Sequence, residues 1–147
     1  MSYRKCVVAV IMNPSTGNVL VGKRSDTKTW QFPQGGIDLD EEPEAAVRRE
    51  MTEEIGVKSI EIIKASSAWF NYDFPTNLTA SIAQKYKGQS QKWFLCHLFP
   101  NDAPDLDKAI DKEFCELRWV PISFVLQEIV EFKRPVYTAA LQDLNLQ

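Results

Sequence analysis

Apolar residues along this chain fall into runs whose spacing alternates between a strand period and a helix period. Arg4 to Met12 (RKCVVAVIM) is nearly continuous and rich in β-branched residues, which predicts a buried strand. Asn13 to Asn18 holds Pro14 and Gly17 and reads as a turn. Val19 to Arg24 resumes the apolar pattern, so the opening predicts a β-hairpin. After the polar loop Ser25 to Thr29, Trp30 to Gln34 predicts one short strand. Ser59 to Ser66, Ala68 to Phe74, Gln89 to Phe99 and Phe114 to Val120 are further strand candidates. Thr76 to Gly88 is polar and irregular, and Pro100 to Lys112 reads as an acidic, turn-rich loop. Pro121 to Val130 and Arg134 to Leu144 carry helical spacing. Strands around one central helix, followed by a helical end, predict an α+β fold built as an αβα sandwich.

The central helix lies inside Gly35 to Val57, GGIDLDEEPEAAVRREMTEEIGV. Pro43 suits a first helical position, acidic residues crowd the first turn, and Gly56 is a C-terminal stop. At about 100° per residue, Glu50, Glu53 and Glu54 share an arc roughly 100° wide. Val47, Met51 and Ile55 form an apolar stripe beside it. Like charges at this spacing destabilise a helix by about 0.2–0.5 kcal/mol per pair. A hard divalent cation would offset that repulsion, and all-oxygen ligation suits Mg²⁺ or Mn²⁺. Arg49, four residues before Glu53, can orient it by a charge-assisted bond. Gly35 and Gly36 allow close approach of backbone carbonyls. Taken alone, an acidic helix of this kind is more often a solvated surface face.

Composition narrows the partners. The 147 residues suffice for a single domain spanning 1–147, with 44% hydrophobic content and a net charge of −3. No global basic field advertises nucleic acid and no DNA partner is expected, so a polyanion must bind through a local basic patch or through metal. Cys6, Cys96 and Cys115 are scattered and form no disulfide framework, which suits a reducing, cytoplasmic setting. No apolar run reaches membrane-spanning length, and no signal-peptide pattern opens the chain. The single histidine, His97, sits in a strand-like run, which excludes a histidine triad or a multi-histidine zinc site.

Gly35, Glu41, Arg49, Glu50, Glu53, Glu54 and Gly56 occupy every fixed position of the pattern G-x5-E-x7-R-E-U-x-E-E-x-G-U, with Met51 and Val57 at its bulky aliphatic positions. The chain thereby resembles the Nudix hydrolases, whose box this is. The segments WQFPQGGID, YDFPTNL, YKGQSQKWF, EFCELRWV and VEFKRPVY narrow the resemblance from about Tyr3 to Ala140. They are similar to the branch of bacterial RNA 5′-pyrophosphohydrolases and asymmetric dinucleoside polyphosphate hydrolases. Two departures are Asp40, at a position often held by glycine, and the undistinctive acidic loop before Glu113.

The resemblance implies a mixed β-sheet between helices, with the box as loop-helix-loop, and hydrolysis of a phosphoric anhydride. It implies Glu50, Glu53 and Glu54 as catalytic metal ligands, joined by the Gly35 carbonyl. Glu113 matches a downstream glutamate that binds metal or assists the attacking water. Arg49 and Glu41 are expected as structural supports of the box. Phe132 beside Lys133 suits stacking on a base with phosphate contact. Arg4, Lys23, Arg24, Tyr86, Gln91 and Lys92 are further substrate-binding candidates. The expected activity is Mg²⁺-dependent removal of pyrophosphate from 5′-triphosphorylated RNA. The alternative is asymmetric cleavage of diadenosine tetra- or pentaphosphate, and a remoter one is a non-catalytic nucleotide or RNA sensor.

Overall fold

A computed structural model describes residues 1–147. Its larger sheet is mixed and runs in the order β4 (Gln34–Gly36), β1 (Tyr3–Ile11), β7 (Gly88–His97), β5 (Glu61–Ala65). β1 and β7 are parallel from Tyr3↔Gly88 to Ile11↔Cys96. β5 pairs with the second half of β7, and β6 (Phe70–Asp73) pairs with the first half. A second, antiparallel sheet has the order β3 (Trp30–Gln31), β2 (Val19–Arg24), β8 (Phe114–Val120).

The apolar run of β1 is continuous because both of its faces are covered. Val7, Ala9 and Ile11 pack toward α1 (Pro43–Ile55), with Val47, Met51, Ile55 and Phe94. Val8 and Val10 face the opposite side, where Trp93 and Phe32 pack against Tyr137 of α4 (Arg134–Asp143). α3 (Ile122–Glu128) contributes Val125 to that second cluster. This is the expected αβα sandwich.

Three local expectations change. The β1–β2 hairpin is absent: a single bridge, Met12↔Val19, joins strands that enter different sheets. Both flanks of β1 are already taken, by β4 and β7. Trp30 to Gln34 is not one strand but two, in two sheets, broken at Phe32-Pro33, where the Pro33 carbonyl accepts from Ala9 N–H at 3.0 Å. Thr76 to Gly88 contains one helical turn, α2 (Ile82–Lys85).

Candidate active site

The turn into α1 is built around Arg49. Glu42 caps the helix with extended backbone, Pro43 opens it, and only Glu44 of the neighbouring acids lies in the first turn. Arg49 Nε and Nη2 donate to the two Glu41 oxygens, both at 2.9 Å. Nη2 also donates to the Gly36 carbonyl at 2.9 Å, and Nη1 donates to Glu50 at 2.9 Å and Glu53 at 3.1 Å. Glu41 in turn accepts from the Asp38 N–H at 2.9 Å, closing the loop onto the helix. Arg49 holds the Glu41 carboxyl below its ordinary pKa through these bonds. One planar fork thus fixes the loop and two carboxylates together. At Asp40 the backbone adopts φ 64°, a left-handed conformation that glycine favours and aspartate tolerates.

A second loop completes the acidic cluster. Gly56 ends α1 at φ 72°, and a Cβ there would overlap the Asp105 carbonyl oxygen. The backbone therefore docks closely: Asp105 N–H donates to the Ile55 carbonyl and Asp111 N–H to the Glu53 carbonyl. This brings Asp111 to Glu50 and Glu53, with one carboxylate oxygen of each within 4.8 Å of the others. A Cβ on Gly35 would collide with the Glu50 carboxyl, so only glycine leaves room for it. Burial is the main force pushing the Glu50 pKa up, to about 7, with Arg49 opposing and Glu53 and Asp111 adding to the rise. Glu54 is 2% exposed, its Oε2 has no partner, and its pKa is raised by burial and by Glu113 beside it. Three converging carboxylates, with the buried Glu54 beside them keeping one oxygen unpartnered, fit a hydrated divalent cation of the Mg²⁺ type.

Next to these acids lies a cleft of about 300 Å³. Arg24 reaches from it to Glu113 at 3.0 Å and to Asp26 at 2.8 Å. Tyr72 and Phe132 meet with ring centroids 5.7 Å apart, and Lys133 Nζ lies about 6 Å from each ring, at 6.0 and 5.9 Å. Lys133 also donates to Gln31 Oε1 at 3.1 Å, and burial lowers its pKa to about 8. Gln34 and Gln89 form part of the lining. An aromatic pair, two cations and neutral amides beside a carboxylate cluster can hold a base at one end and phosphates at the other.

A family model described as NUDIX domain matches residues 2–140. The chain belongs to the Nudix family. Curated relatives include the RNA pyrophosphohydrolase of Bartonella henselae, 42% identical, and that of Acidiphilium cryptum, 40% identical. The first alignment covers 99% of this chain and 91% of the relative, the second 97% and 90%. Among solved structures, a MutT protein of Methanosarcina mazei matches with a TM-score of 0.68 at 19% identity, over 97% of this chain and 96% of that one. A C. elegans Ap4A hydrolase matches with a TM-score of 0.68 at 18% identity, over 97% of each chain. These two likenesses concern the fold.

The Nudix box delivers Glu50 and Glu53 to one place, as its spacing implies. Glu54, at the opposite edge of the acidic arc from Glu53, is buried against Glu113. Asp111 stands with Glu50 and Glu53 instead. It escapes sequence reading because Asp102, Asp105, Asp107 and Asp111 look alike until the loop docks. Glu41 is paired with Arg49 and stands outside the carboxylate cluster.

Of the substrate candidates, Arg24, Phe132 and Lys133 line the cleft. Arg4 lies alongside β4, its guanidinium against Gly36. Gln91 is fully buried and bonded to other side chains, so it does not face the cleft. Lys92, one residue on, faces the α1 side of the sheet near Glu42 and Glu44. Lys23 is directed at the Trp30 ring, 6.0 Å away, outside the cleft lining. Tyr86 caps α2 and is likewise outside it.

Proposed function

We propose that this protein is a Mg²⁺-dependent RNA 5′-pyrophosphohydrolase of the cytoplasm, converting a 5′-triphosphate end to a monophosphate. The observation that carries the reading is full-length similarity, near 40% identity, to relatives named RNA pyrophosphohydrolase, together with an intact box. No helix is long and apolar enough to cross a membrane, and all three cysteines are free, in keeping with a reducing compartment.

Glu50, Glu53 and Asp111 would hold the cation, with Glu54 and the Gly35 carbonyl as further oxygen donors. When bound, such an ion neutralises nonbridging phosphoryl oxygens and acidifies water. Arg49 keeps Glu50 and Glu53 converged while the site is loaded. Burial, with Glu113 beside it, raises the proton affinity of Glu54, so once ionised Glu54 can take a proton from the attacking water at a carboxylate oxygen. Arg24, bonded to Glu113, links that pair to the phosphate end of the cleft. Phe132, packed on Tyr72, offers a ring for the first base to stack on, and Lys133 supplies a cation beside it.

Turnover of 5′-triphosphorylated RNA and of diadenosine tetraphosphate, measured side by side, tests this reading. Faster release of pyrophosphate from the RNA supports it. Brisk dinucleotide cleavage with inert RNA replaces it with the dinucleoside polyphosphate hydrolase. Binding of either without turnover in Mg²⁺ makes the protein a sensor.

A further inference from the structure

The cleft floor is made of glutamines, and one indole forces the way their amides point. Trp93 Nε1 lies 3.1 Å from Gln91 Oε1. An indole N–H only donates, so the Gln91 oxygen must face it. The Gln91 amide nitrogen then faces the other way and donates to Gln89 Oε1 at 3.0 Å and to Gln34 Oε1 at 3.2 Å. Both of those residues must therefore turn their oxygens inward. Their nitrogens are left over: Gln34 Nε2 has only a 3.5 Å contact to Gln89 Oε1, and Gln89 Nε2 has no protein partner. Gln34 and Gln89 line the cleft, whereas Gln91 and Trp93 are fully buried behind them.

The other strong polar groups there are also donors. Lys133 Nζ and the Arg24 guanidinium carry no acceptor, and the Asp26 carboxylate is taken up by Arg24. We infer that Trp93 and Gln91 are positioning residues that set the polarity of the cleft floor. Through them Gln34 and Gln89 offer fixed N–H donors to acceptor oxygens of the bound nucleotide, phosphoryl or base carbonyl. The inference rests on the nucleotide-polyphosphate reading of the site. A donor held against a ligand lacking an acceptor stays unpaired at a cost, so fixed polarity gives selectivity as well as affinity.

Two variants test it. Trp93→Phe keeps the aromatic packing and removes only the N–H, which frees Gln91 to flip. Gln89→Glu keeps the oxygen that Gln91 needs and replaces the outward donor with an acceptor. For each, KM is expected to rise about tenfold with kcat within about twofold, since ground-state and transition-state binding are lost together. In Trp93→Phe the side-chain amide resonances of Gln34 and Gln89 should shift or broaden in NMR spectra, with melting showing a folded protein. RNAs beginning with guanosine and adenosine separate the two acceptor sources. A KM rise confined to guanosine assigns the donors to the base carbonyl, and an equal rise assigns them to phosphoryl oxygens. Unchanged KM in folded Trp93→Phe, or in Gln89→Glu should the first variant not fold, overturns the relay. Wild-type turnover tests the RNA reading, and the ratio of variant to wild type tests the relay. Should wild type cleave only diadenosine tetraphosphate, the same ratio is taken on that substrate.

Discussion

The two ends of the active site are held by opposite means. At the acidic end, charged groups converge on a single arginine: Glu41, Glu50 and Glu53 all bond to Arg49. At the cleft end, neutral amides and aromatic rings are fixed by tertiary packing against Trp93 and Tyr137. The Arg49 hub is local, contained between Gly36 and Glu53, and electrostatic, with Asp111 added from a distant loop. The second draws on β3, β4, β6, β7 and the turn before α4, and its polarity comes from hydrogen-bond direction. Chemistry needs charge where phosphorus reacts, while selection of a nucleotide needs shape and donor placement.

The difference can be broken end by end. Glu53→Gln should lower kcat on the order of a thousandfold, because losing a ligand forfeits several kcal/mol of charge stabilisation. Rapid-quench or steady-state rates with a retained melting transition would check this. Asp111→Asn should cost about 10- to 100-fold in Mg²⁺ affinity, measured as the metal concentration for half-maximal rate. Unchanged metal dependence would remove Asp111 from the cluster. Phe132→Ala should act differently, raising KM about tenfold with a smaller change in kcat, from loss of about 1–3 kcal/mol of base stacking.

The ends should also respond to pH in opposite directions. Glu50 has its pKa raised to about 7, so ionisation and metal affinity grow as pH rises through 7. Lys133 has its pKa lowered to about 8, so its charge and the grip on an anion fade above 8. Metal-free stability carries a related sign. An unfolded glutamate ionises near 4.3 while folded Glu50 stays protonated, so the Glu50 contribution falls between about pH 4.5 and 7 and then levels. Melting curves with and without Mg²⁺ should converge at low pH and separate above 7. Parallel curves throughout would contradict the assignment.

These contrasts track what the chain revealed as a sequence. The box was legible because a helix converts spacing directly into direction, so Glu50, Glu53 and the Arg49 contacts follow from sequence order. Glu54 shows the limit: at the edge of the same arc, its neighbours decide its role, and those come from Glu113 some sixty residues later. Asp111 was hidden for a related reason, since only the docking of its loop against Gly56 and Glu53 singles it out. The hairpin expectation failed because a strand buried on both faces carries no mark of its partner. Gln89 and Gln91 share one face of β7 and differ only in depth, while Lys92, one residue on, is turned to the opposite face.

The most direct measurement follows the fate of a γ-labelled 5′-triphosphorylated RNA incubated with the protein, with Mg²⁺ and with the metal chelated. The account predicts that label leaves as pyrophosphate only when Mg²⁺ is present, and that the RNA retains a 5′-monophosphate. A folded protein that leaves the triphosphate intact in Mg²⁺, or removes it equally well after chelation, would contradict it.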